Sequence, residues 1–140
     1  MTTKKHKNIL DKYKQPIFST EDLYISKDSS FEYLQKEFDL PDGDRDYIED
    51  YPAVTIYGVS RKNSNLKCVL IHFNTKIIKS NSKSSKDKYF LDGTLSHEAL
   101  HAAYYILSQC GIDLTSSTDE VYAYTVGWIT ACARKTYDKK

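Results

Sequence analysis

Residues 96–103 read Ser-His-Glu-Ala-Leu-His-Ala-Ala. His97 and His101 are four apart, and on an α-helix such residues stand one above the other on one face. Two imidazole nitrogens can then point at one position about 2.0–2.1 Å from each, the bond length of a zinc ligand. Glu98 is turned from His97 by about 100° around the helix axis. That keeps it out of the ligand plane and lets it reach a water held on the metal, the place of a general base. With four His and six Glu in 140 residues, this order arises by chance on the order of a few times per thousand. The plain alternative is a pair of surface histidines on a helix.

A catalytic zinc takes three protein ligands and keeps a position open for water. The candidate third ligand is Glu120, nineteen positions after His101. It has a competing role, because Ser117-Thr-Asp-Glu120 has the form of a capping box. The motif helix should run about 13 Å past His101 to Cys110. In a tight antiparallel hairpin, Gly127 and Trp128 would then lie level with His101, and neither can ligate. Residues 111–117 must return toward His101, or the helices must cross steeply. Seven extended residues span up to about 23 Å, so the return is feasible. Glu120 is the favoured ligand, with Asp119 and Asp113 as substitutes. Tyr124 shares a helix face with Glu120 and could donate to a substrate oxyanion, although a tyrosine on an apolar helix more often belongs to the core. His72 lies near the end of an expected strand and is read as structural or exposed.

The elements that must position these groups are legible in part. Residues 1–14 are polar and expected to fray. Pro16 to Ser19 and Leu23 to Ser26 read as short strands. Ser29, with Glu32 three residues on, marks a helix running to about Phe38 before Pro41. Residues 42–50 are acidic, but as a calcium loop they fail at Tyr47, where glycine is needed, and at Ala53, where glutamate is needed. They read as a solvated loop or a short helical turn. Ala53 to Val59 and Lys67 to Phe73 form the clearest strands, joined as an antiparallel hairpin by the turn residues Arg61 to Asn65. Lys76 to Lys88, rich in serine and lysine, reads as a solvated loop. Thr94 is placed as the cap of the motif helix, Leu95 to about Cys110, with Gly111 as its stop. Ser117 or Thr118 opens a last, buried helix to about Lys135.

Composition fits one soluble domain, expected over residues 15–140. Hydrophobic residues make up 40% and charged residues 28%, and the net charge is +1. That balance gives no reason to expect nucleic acid as a partner. Three scattered cysteines are not a disulfide framework, and point to a reducing, cytoplasmic setting. No apolar signal region follows the lysine-rich start, and no apolar run is long enough to cross a membrane. The fold expected is α+β, a small antiparallel or mixed sheet on helices, with the two C-terminal helices carrying the site.

His97-Glu98-Ala-Leu-His101 followed by Glu120-Val-Tyr-Ala123 resembles the zincin metallopeptidases of the gluzincin type. The E-x-x-A form resembles the second motif of the ImmA/IrrE-like peptidases. More narrowly, SHEALHAAYYIL with DEVYAYTVGWI resembles small proteins of tailed bacteriophages described as metallopeptidases. The resemblance covers roughly residues 54–133. It implies a minimal zincin-like fold, one zinc ion (Zn2+) on His97, His101 and Glu120, and Glu98 as base. It also implies a strand beside the motif helix, expected to be Lys67 to Phe73, where an extended peptide or protein substrate adds to the sheet. If the chain is phage-encoded, the setting is the host cytoplasm. The chain is too short for the second lobe of large gluzincins, and no second catalytic histidine follows Glu120. The rival expectation is a non-catalytic protein on the same scaffold, a virion component or a binder of a host factor.

Overall fold

A computed structural model of the protein describes residues 6–14, 22–82 and 89–140. The strands are β1 (Ile9–Lys14), β2 (Asp22–Lys27), β3 (Ala53–Ser60) and β4 (Lys67–Phe73). The helices are α1 (Phe31–Glu37), α2 (Arg45–Glu49), α3 (Thr75–Asn81), α4 (Phe90–Gln109) and α5 (Asp119–Tyr137). A 3-10 turn at Asp42–Asp44 leads into α2. The four strands form one mixed sheet in the order β1-β2-β4-β3. β2 and β4 run parallel, and the outer pairs are antiparallel. The fold is α+β.

Alternation along the strands sends side chains to two cores. Leu23 and Ile25 of β2 and Val69, Ile71 and Phe73 of β4 pack with Leu95, Ala99, Ala103 and Ile106 of α4 and Ile129 of α5. Tyr24, Cys68 and Leu70 face the other way, onto Phe31, Leu34, Phe38 and Ile48. The sheet thus carries α4 and α5 on one face and α1 and α2 on the other. β4 is covered on both sides and so reads as an unbroken apolar run, Cys-Val-Leu-Ile. Burial of these faces is the main force holding the sheet to its helices.

Several sequence expectations need correction. Ile9–Lys14, expected to fray, is the edge strand β1, with Tyr13 Oη 2.7 Å from Thr136 Oγ1 on α5. Ser30, not Ser29, caps α1 and accepts from the Tyr33 amide at 3.1 Å. Glu32 does not close a capping box but pairs with Arg45, and the Ser30 amide goes to Asn8. The first part of the serine- and lysine-rich segment is helix α3, capped by Asn74 through the Ile77 amide at 3.2 Å. Its residues 83–88, and the strand expected at Pro16 to Ser19, lie outside the described residues. Helix α4 begins at Phe90, five residues before Leu95. Thr94 is inside it and returns its hydroxyl to the Phe90 carbonyl at 2.8 Å, a back-bond that mimics a cap in sequence.

Gly111 does end α4, with φ +73°. Among the described residues no helix is long and apolar enough to cross a membrane.

Candidate active site on the motif helix

Helix α4 lies on the sheet through Leu95, Ala99, Ala102, Ala103 and Ile106. The alanines let its axis come close to the strands. The opposite face carries His97, Leu100, His101 and Tyr104, all exposed. His97 and His101 therefore stand on the solvent side, one turn apart. Their Nε2 atoms are 3.2 Å from each other, and the rings meet edge to face with centroids 4.8 Å apart. Without a metal, one ring N–H can donate to the other nitrogen at this distance. The same distance suits two zinc ligands. Arms of about 2.05 Å whose ends are 3.2 Å apart enclose an angle of about 103°, close to tetrahedral.

Glu98 behaves differently from its neighbours. It is 6% exposed, turned inward between α4 and the sheet. Thr55 of β3 lies 2.5 Å from its Oε2 and 3.2 Å from its backbone carbonyl. A threonine has one hydroxyl hydrogen, and the shorter contact marks the carboxylate as its acceptor. Oε1 has no hydrogen-bond partner among the described residues. A buried carboxylate oxygen in that state can accept a proton from a water or a substrate. His97 and Glu98 open on one cavity of about 400 Å³, walled by Tyr51, Pro52 and Phe90.

The strand beside the motif helix is β3, not Lys67–Phe73, which is the interior strand β4. β3 is a sheet edge. Its register slips at Tyr57/Val59, where Gly58 takes φ +68° and a Cβ would come 3.3 Å from Tyr105 Oη. Only glycine combines that backbone with that approach. The bulge lets Tyr57 stack on Tyr105 of α4, centroids 5.3 Å apart, which fastens the edge strand to the motif helix.

Glu120 sits in the first turn of α5. The expected capping box is not formed. Thr118 occupies the cap position, and its hydroxyl ties the preceding loop, accepting from the Thr115 amide at 2.8 Å and donating to the Asp113 carbonyl. Tyr122 donates to the Ile112 carbonyl at 2.7 Å and pins the same connection. Glu120 is exposed and without a hydrogen-bond or ion-pair partner among the described residues. It shares a second cavity, of about 520 Å³, with Tyr124, Ile112 and Val121. Tyr124 is 69% exposed there and does not line the cavity of His97 and Glu98. Among the described residues no three His, Cys, Asp or Glu side chains are gathered as a metal site. The imidazole pair therefore fits a metal, while Glu120 is not drawn up to it.

His72 stands apart from this chemistry. It is 1% exposed on β4, with Nδ1 2.9 Å from Ser26 Oγ on the parallel strand β2. Burial pushes its pKa down to about 4, against the opposing pull of Asp28 and the Ile48 carbonyl. It is a neutral structural group, as the sequence suggests.

The residue that sequence reasoning missed is Thr55. Its only signal is a hydroxyl between Val54 and Ile56 in an apolar strand. No family model matches the chain, and no curated protein or solved structure matches it either.

Proposed function

We propose that this chain is a zinc-dependent peptidase, with one zinc ion on His97, His101 and Glu120 and Glu98 as general base. The observation that carries the reading is the 3.2 Å Nε2 pair of His97 and His101, with His97 opening on the same cavity as the buried Glu98 carboxylate. A bound zinc ion supplies a Lewis acid and lowers the pKa of its water toward about 7. The chain's own groups do the rest. Thr55 holds Oε2 of Glu98, which fixes the carboxylate plane and leaves Oε1 to take the water proton. Glu98 then returns that proton to the leaving amine. Glu120 is the ligand proposed from α5, since no other described group competes for its carboxylate. Tyr124 is the proposed donor to the oxyanion, from the same helix face. A phage origin and a setting in the host cytoplasm belong to this reading through the resemblance of the motifs.

One observation favours a second reading. Glu120 is not gathered with the histidines, which suits a non-catalytic zincin-scaffold protein serving as a virion component or binding a host factor. Glu98→Gln separates the two. On the peptidase reading the variant keeps its zinc and loses hydrolysis of unstructured protein substrates such as casein. Hydrolysis that survives Glu98→Gln removes Glu98 as base, and a zinc-loaded wild type that cleaves nothing leaves the binding role.

A further inference from the structure

We infer that the cavity beside His97 and Glu98 receives one large apolar side chain of a peptide, and that Gly93 sets the size it accepts. The inference rests on the peptidase reading for its biological setting, and its physical content is a binding site. Phe90, Gly93, Thr94 and His97 follow helical spacing, so one face of α4 forms a wall of the cavity. The opposite wall is Tyr51-Pro52-Ala53, the entry into edge strand β3.

The lining is mostly apolar. Among the described residues it contains no lysine or arginine, and its one carboxylate is that of Glu98. In the metal-free chain an acidic side chain would meet that carboxylate with no cationic side chain among the described lining residues to compensate. An aromatic or long aliphatic side chain would bury itself against Tyr51, Pro52 and Phe90. The size is sufficient, because about 150 Å³ holds a benzene ring and this cavity measures about 400 Å³.

Gly93 supplies an independent observation. It sits inside α4, where glycine is a poor helix former. Its φ is not positive, and a Cβ there meets nothing within 4 Å. Neither backbone conformation nor close packing calls for glycine at this position. Its missing side chain leaves open the space that the ligand would fill.

The test uses amide NMR on the full-length wild-type protein, kept metal-free by chelation so that Glu98 is retained and nothing is cleaved, titrated separately with N-acetyl-phenylalanine amide, N-acetyl-lysine amide and N-acetyl-aspartate amide. The phenylalanine derivative is expected to shift the Ala53, Gly93, Thr94 and His97 amides saturably. Gly93→Leu should weaken that binding about tenfold or more, whereas Gly93→Ala keeps most of it. A Cβ at Gly93 meets nothing within 4 Å, and an unchanged spectrum of the Leu variant away from the cavity shows that it folds. Absence of those shifts, equal or stronger binding of the lysine or aspartate derivative, or indifference to Gly93→Leu overturns the inference. Cleavage assays of the wild type are read separately. Binding without any cleavage sinks the peptidase reading and keeps the pocket, and cleavage without these shifts does the reverse.

Discussion

Acidification should destabilise the protein through His72, by an amount that follows from its burial. In the fold the imidazole is held neutral, with a pKa of about 4. In the unfolded chain it titrates near 6.5. Its folded pKa is therefore depressed, and between those values the unfolded state binds more protons. The stability tied to its neutral form is complete above pH 6.5 and is lost as pH falls toward 4. A gap of about 2.5 units at 1.36 kcal/mol each gives roughly 3 kcal/mol in all, of which about 2 kcal/mol is lost between pH 7 and pH 5. His6, Lys7, Asp28, Glu49 and Lys76 line the same cavity as His72. The comparison with His72→Asn isolates the ring, because Asn offers Ser26 an amide in place of Nδ1. Urea unfolding of both proteins at pH 7, 6 and 5 gives the two profiles. The variant is expected to be less stable at pH 7, yet to lose about 2 kcal/mol less than the wild type on going to pH 5. Parallel profiles would refute the reasoning, since His72 would then titrate alike in the folded and unfolded chains.

Thr55→Val keeps the shape of β3 and removes the donor to Glu98 Oε2. It should cost about 1–3 kcal/mol in urea unfolding and reduce hydrolysis more than zinc binding; an unchanged midpoint would mean that Thr55 does not hold the carboxylate. Gly58→Ala forces a Cβ into a left-handed backbone 3.3 Å from Tyr105 Oη, so a loss of at least roughly 1–2 kcal/mol is expected in the same assay. Glu120→Gln should weaken zinc binding by more than the roughly 10–100-fold typical of losing an outer-shell partner. Unchanged affinity in a competition titration would move the third ligand to Asp119 or Asp113.

Much of the site was readable because its signal is local. The spacing of His97 and His101 fixes their mutual position once a helix forms, and the run of alanines between α4 and the sheet dictates which face is buried. The β3–β4 hairpin was equally legible from two β-branched runs around Arg61 to Asn65. What escaped depends on partners far away in the chain. β1 is half lysine and aspartate, and it is a strand because β2 offers it an edge and Thr136 of α5 reaches Tyr13. The strand beside the motif helix was misassigned because strand order is a tertiary property, and a parallel β2–β4 pair pushes β3 to the edge. The start of α4 was misplaced since Thr94 looks like a cap in sequence and back-bonds inside the helix instead. The capping box at Ser117 yielded to Thr118, whose hydroxyl serves the loop at Asp113 and Thr115.

The central claim is that His97 and His101 hold a metal ion, and metal analysis of the purified protein tests it most directly. After chelation and reloading, one zinc per chain is expected for the wild type and for Glu98→Gln, and almost none for His97→Ala or His101→Ala. A wild type that takes up no zinc, or a His97→Ala protein that takes up as much as the wild type, would contradict it.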